Sequence, residues 1–223
     1  MIPRRIKRLL DRARLRDATY RFLFEPGPPT EVVSFDCETT GLDVRRDDII
    51  TIAAVRVRGN CILASERFEA VARPAAPITI PAMKVHRLRE IDVVQGEAIE
   101  AIIPRFLNFI GGRPLVGYYV DFDVRMVDRY LSAVLGIGLP NRLIEVSKLY
   151  FDRKYSDAPA GTRIDLSFAA ILRDLDLPEL DQHDAFNDAL MTAMMYLRLR
   201  DMQARNVRIA RQRVVDQPQA SIG

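Results

Sequence analysis

Residues 31–43 read Glu-Val-Val-Ser-Phe-Asp-Cys-Glu-Thr-Thr-Gly-Leu-Asp. The first eight are rich in the branched and aromatic side chains that suit a strand. Strand residues two apart share a face, so Asp36 and Glu38 project together while Phe35 and Cys37 point the other way. Two carboxylates side by side on an otherwise apolar strand repel each other and resist burial. A divalent cation removes that cost, and hard Mg²⁺ takes oxygen ligands while leaving positions for water and phosphate. Two surface acids at a solvated strand end are the plain alternative, and Asp-x-Glu alone does not decide between them.

Working outward, residues 48–57 and 61–70 read as two more strands. Arg58-Gly59-Asn60 forms the hairpin turn between them, and Thr40–Asp47 the turn before. Three consecutive strands with short connections predict an antiparallel meander. Pro74, Pro77 and Pro81 mark a loop. Apolar periodicity then predicts helices over 97–110, 123–135, Leu166–Leu175 and Ala185–Arg205, with short strands at 114–119 and 143–147. The expected fold class is α/β, a mixed five-stranded sheet flanked by helices. Upstream, residues 4–17 read as a basic amphipathic helix with Ile6, Leu9, Leu10 and Ala13 on one face. Glu25-Pro26-Gly27-Pro28-Pro29 reads as a linker. The expected organisation is therefore residues 1–30 as helix and linker, 31–205 as the main domain, and 206–223 as a basic tail, disordered over 214–223.

Three other positions join the pair of acids. Asp123 follows the strand PLVGYY, within VDFDVRMV, at a sheet edge where ligand groups are commonly carried. Asp121 competes with it for a metal; Asp123 is preferred because Phe122 supplies an adjacent core anchor. A first-turn helix acid is the plain reading of either. Asp188 lies in the first turns of the last helix, at the margin of an apolar face formed by Leu190, Ala193, Met194 and Leu197. His183 precedes it by five residues, too far to share its helical face, and is placed on a loop that can fold back over the acids. An imidazole there can take a proton from water. Alone, each of these reads equally as a surface residue.

Composition bounds the rest. The chain has 223 residues, 48% of them hydrophobic and 28% charged, which excludes a mainly disordered protein. Two cysteines, Cys37 and Cys61, cannot build a Cys-rich zinc site or a disulfide framework, which points to a reducing, cytoplasmic setting. No apolar run approaches the roughly 18–20 residues of a membrane span. The net charge of +3 hides an asymmetry: residues 1–25 carry +5, residues 198–223 carry +4, and the body between carries −6.

Taken together, FDCETTGLD, VDFD and HDAFND (183–188) resemble the three motifs of the DEDDh 3′–5′ exonucleases, in order, and the chain resembles the DNA polymerase III epsilon branch of that family from about Val32 to Leu199. The resemblance implies a ribonuclease-H-like fold. It implies two divalent ions, Mg²⁺ or Mn²⁺, bound by Asp36, Glu38, Asp123 and Asp188, with His183 as general base. It also implies contacts to the terminal nucleotide from Thr39, Thr40 and a wedging Leu42. MKVHRLRE (83–90) resembles a family loop that makes His86 a substrate-side residue; a purely local hydrogen bond is the other reading. Tyr118-Tyr119 stand where the family often has His-Asn, which puts Tyr119 and Phe122 on the substrate side. The implied activity is hydrolysis of DNA from its 3′ end, single strands preferred, to 5′-mononucleotides, in DNA replication or repair. RNA oligomers are the alternative substrate; Thr39-Thr40 departs from the Glu-Met-Thr-Gly usual in the oligoribonuclease branch. A non-catalytic polymerase-associated nucleic-acid-binding module is the alternative outside enzymes. A polymerase or repair partner fits the resemblance, but no Gln-x-x-apolar-x-Phe clamp-binding pattern appears, so a freestanding or differently partnered exonuclease is expected over a proofreading subunit.

Overall fold

The computed structural model describes residues 4–211. Three long strands, β1 (Glu31–Thr39), β2 (Ile49–Arg58) and β3 (Cys61–Val71), form the antiparallel meander. Two short strands, β4 (Leu115–Gly117) and β5 (Leu143–Glu145), add in parallel on the other side of β1. The order across the sheet is β3-β2-β1-β4-β5, so β1 is central. A central strand must be covered on both faces, which is why its apolar residues run almost without interruption.

The two faces carry different helices. Val33, Phe35 and Cys37 of β1 point into a core shared with α4 (Ile99–Ile110) and α5 (Val120–Leu135). The alternate residues face the layer built from α6 (Val146–Lys154), α7 (Phe168–Asp174) and α8 (Ala185–Ala204), where Val32 joins the second core. The strand alternation read from EVVSFDCE is therefore the one observed.

Several elements differ from expectation. Pro81 does not sit in a loop: it opens α2 (Ile80–His86), whose N-terminus the Thr79 side chain caps by accepting from the Ala82 amide. Proline tolerates a first helical turn because no intrahelical N–H is needed there. A short helix α3 (Glu90–Val93) follows. The helix expected from 123 begins at Val120, because the Glu145 carboxylate accepts the Tyr119 and Val120 amides at 3.1 and 2.9 Å and caps it earlier. α6 was not anticipated, since VSKLYFDRK shows no one-sided apolar stripe. The buried face of α8 differs from the expected one: of Leu190, Ala193, Met194 and Leu197 only Ala193 is buried, with Ala189, Met191, Met195 and Leu199, because α8 is packed between the sheet and α6 and α7.

Both ends of the described chain lie against the body. α1 spans Arg4–Arg14 and is followed by a 3₁₀ helix, Ala18–Phe24, which buries Leu23 and Phe24 in the first core. Arg8 donates to the Pro140 and Phe24 carbonyls at 2.8 and 2.7 Å. Residues upstream of the proline-rich segment thus contribute to the same core as the sheet. At the other end Ile209 is buried, and its amide donates to the Arg153 carbonyl at 3.2 Å. The disorder expected for 214–223 lies outside the described residues. No described helix is long and apolar enough to cross a membrane.

Candidate active site

The site forms where β1 ends and where α5 and α8 begin. Asp36 and Glu38 project from β1 toward α8. Asp123 lies in the first turn of α5, and its Oδ1 accepts the backbone N–H of Cys37 at 3.2 Å. That bond pins Asp123 to the strand residue between Asp36 and Glu38. Its rival Asp121 is exposed. Asp188 lies in the first turn of α8, where its Oδ2 accepts the His183 amide at 3.0 Å. Its Oδ1 is buried without a partner.

His183 sits just before α8 with φ of 65°, a left-handed conformation that turns the chain back toward the acids. Ligand atoms of Glu38, His183 and Asp188 all lie within 4.8 Å of one another. Asp184, the N-cap of α8, accepts the Phe186 and Asn187 amides, both at 3.0 Å.

Among the described residues, no lysine or arginine pairs with these four acids. Burial pushes Asp36 well above the usual carboxylate range, and the charges of Asp123, Glu38 and Asp188 push it further. Burial, followed by the charges of Asp188 and Asp123, pushes Glu38 up to about 8. Asp188 rises to about 6 through burial, against the opposing pull of the His183 amide and imidazole. Asp123 is raised by burial although the Cys37 amide opposes it. Four oxygen donors that destabilise one another's charge, with one buried oxygen unpartnered, suit a hard divalent cation. The residues present fit the implied metal ions.

The candidate substrate residues divide. Leu42 is 85% exposed at the tip of the loop after β1, free to meet a base. Thr39 is buried and donates its hydroxyl to the Gly41 carbonyl at 2.7 Å. Thr40 is 0% exposed. Its amide donates to Asp48, its carbonyl accepts from Thr79, and its hydroxyl bridges Asp47 and the Asp48 amide. Every polar group of Thr40 thus takes part in shaping the loop. His86 makes the local hydrogen bond, with Nδ1 accepting the Leu88 amide at 3.0 Å, while Nε2 is buried without a hydrogen-bond partner. It lines a cavity of about 360 Å³ with Glu38, His183 and Phe186. Tyr119 is 56% exposed in a left-handed turn, with its ring centroid 4.4 Å from that of Tyr118. Phe122 is half-buried against the first core.

The profile of a family described as Exonuclease (RNase_T) matches residues 33–196, which contain all of these acids. The chain belongs to this exonuclease family. Among its relatives is DNA polymerase III subunit epsilon of Aquifex aeolicus, 29% identical over 75% of this chain and 79% of that protein. The PolC-type DNA polymerase III of Thermotoga maritima is 26% identical over 88% of this chain, but the match spans only 13% of that polymerase. A solved exonuclease X, in complex with 5′-overhanging duplex DNA, superposes with a TM-score of 0.61 at 26% identity, covering 78% of this chain and 93% of that one. The mixed sheet flanked by helices is the ribonuclease-H-like fold of these exonucleases.

Two contributors in this exonuclease escaped the sequence reading. Glu145 caps both α5 and α6, since its carboxylate also accepts the Ser147 amide at 3.0 Å. Asp184 adds a further negative charge beside Asp36, Glu38 and Asp188. The signal for each was faint: a capping-type acid immediately before a helix.

Proposed function

We propose that the protein is a DEDDh-type 3′–5′ exonuclease that releases 5′-mononucleotides from DNA 3′ ends and depends on two divalent ions, Mg²⁺ or Mn²⁺. The observation that carries this reading is the convergence of Asp36, Glu38, Asp123 and Asp188, with no lysine or arginine partner among the described residues, beside an exposed His183. These four carboxylates would hold the ions, which when bound supply charge neutralisation for an anionic phosphodiester and its departing 3′ oxygen. His183 takes the proton of the attacking water at a ring nitrogen, from a position that its left-handed backbone and the Asp188 contact fix. Leu42 stacks against the terminal base, and Tyr119 offers a second exposed ring. Glu145 sets the start of α5 and so the position of Asp123.

DNA is the preferred substrate because the motif sequence and the epsilon-like relatives both lie on that side. A polymerase or repair protein is the proposed partner class. The test compares oligonucleotides with a free 3′-hydroxyl and with a blocked 3′ end, as matched DNA and RNA, with and without Mg²⁺. Mg²⁺-dependent release of 5′-mononucleotides from the free 3′ end is expected, faster on DNA. Equal degradation of the blocked strand contradicts the polarity, and faster hydrolysis of RNA moves the protein to the alternative substrate class.

A further inference from the structure

A second concave site, of about 730 Å³, lies outside the acidic cluster, and none of the four acids lines it. Six cations do: Arg153 and Lys154 at the end of α6, Arg163 on the following loop, Arg173 in the last turn of α7, and Arg208 and Arg211 on the C-terminal segment. The three acids present are already engaged. Asp174 accepts from Lys154 and from the Tyr150 hydroxyl. Asp157 pairs with Arg211 at 2.6 Å and with Arg208 at 3.9 Å. Asp165 accepts the Ser167 amide and hydroxyl at 3.0 and 2.7 Å. Among the described residues, Arg153, Arg163 and Arg173 make no direct ion pair, although Arg173 and Arg163, after the Ser167 hydrogen bonds, help hold the Asp165 carboxyl below its usual range, and the Arg153 Nη1 is buried without any hydrogen bond. Buried Tyr155 and Ile209 form an apolar wall, which strengthens the field of the cations inside.

The cleft connects to the acidic site through the chain itself. β5 ends at Glu145, in register with Gly117, at the same end of the parallel strands as the acids. From there α6 runs nine residues back, about 14 Å at 1.5 Å per residue. The loop carrying Arg163 then returns, and the Leu166 carbonyl accepts the Tyr118 hydroxyl at 2.9 Å, next to exposed Tyr119.

We propose that this basic cleft holds backbone phosphates of the strand whose 3′ end occupies the acidic site; this rests on the exonuclease reading above. Unpaired guanidinium groups suit phosphate oxygens, which they bind in pairs. With the roughly 14 Å length of α6 taken as the offset, the cleft takes phosphates about four nucleotides from the 3′ end, at 3.4 Å per strand step. Shorter substrates would engage the acids alone.

The test uses the full chain and an Arg163→Gln/Arg173→Gln variant, since both side chains are exposed and their loss spares the core. Turnover of a nitrophenyl ester of thymidine 5′-monophosphate reads the acidic site alone and is expected to be unchanged. For a strand of about 20 nucleotides, well beyond the four-nucleotide offset, KM should rise about tenfold, and its log–log salt slope should fall by about 1.4, at 0.7 per lost phosphate contact. Arg153→Gln, checked for folding by thermal melting, should raise the same KM. Unchanged KM and salt slope in both variants overturn the proposal. If the wild type hydrolyses neither substrate, the exonuclease reading fails separately, and anisotropy of a labelled strand in EDTA still reads the cleft: weaker binding by the variants supports it, equal binding overturns it. Displacement of that strand by polyglutamate, where equal charge as unlabelled DNA is ineffective, assigns the cleft to an acidic protein and also overturns it.

Discussion

The central strand carries two glutamates of nearly equal burial, Glu31 at 5% exposure and Glu38 at 9%, in opposite electrostatic circumstances. Glu31, at the start of β1, is clamped by Arg58 at 2.6 Å and Arg113 at 2.7 Å. Burial works against its charge, but the two guanidinium groups win and hold its carboxyl below the usual range. Glu38, seven residues on, has no guanidinium partner among the described residues, lies among Asp188, Asp123 and Asp184, and rises to about 8. One strand thus shows a buried carboxylate neutralised by guanidinium partners and, seven residues on, one left without them, as the proposed metal site requires. A buried unpaired charge is costly, and a site that tolerates four of them stores a demand for cations.

The largest effects fall on the unpaired end. Asp36→Ala and Asp188→Ala should each reduce turnover about 10³-fold or more, as expected when a charge-neutralising ion is lost, with the fold retained by circular dichroism. His183→Ala should cost about 10²- to 10³-fold at neutral pH, the range for a general base, read as kcat on a 3′-hydroxyl strand.

The paired end predicts a change in stability. Glu31→Gln should destabilise by about 2 kcal/mol, less than the 3–5 typical of a fully buried pair because Arg58 is half exposed. Glu38→Gln should instead raise the melting temperature of the metal-free protein, because it removes repulsion. Denaturant melts of both variants in EDTA check the contrast, and equal destabilisation would break it.

The two glutamates also give opposite slopes with pH. The folded pKa of Glu38 lies above its ordinary value of 4.5, so folding binds extra protons. Its contribution is fully present below about 4.5 and is lost as the pH rises toward 8. Asp188 behaves likewise between its ordinary 3.8 and about 6. Glu31 contributes above 4.5, and its contribution is lost as the pH falls. Metal-free protein should therefore melt lower at pH 8.5 than at pH 6, and millimolar Mg²⁺ should shrink that difference by binding the ionised acids. The smallest effect is expected at Leu42→Ala: stability within about 0.5 kcal/mol, as for other exposed positions, and a several-fold rise in KM.

What the sequence made legible follows the range of the interactions. Asp36 and Glu38 share a face through strand alternation, a two-residue rule, and the structure obeys it. His183 was correctly kept off the helix of Asp188 by counting residues per turn. The Glu31–Arg58–Arg113 clamp was invisible because its members lie 27 and 82 residues apart. The scaffolding role of Thr40 was not legible, because its partners Asp47 and Asp48 close the far end of its own turn and Thr79 lies 39 residues on. α6 was missed because both of its sides are partly covered, which erases the stripe that periodicity detects.

The most direct measurement is the stoichiometry of Mn²⁺ binding to the chain without nucleic acid, by calorimetry with parallel detection of released protons. The account predicts two ions per chain, proton release near pH 7 from groups such as Glu38, loss of binding in Asp36→Ala, and unchanged binding in Glu31→Gln once that variant is shown to be folded. No binding to the wild type, or undiminished binding to Asp36→Ala, would contradict it.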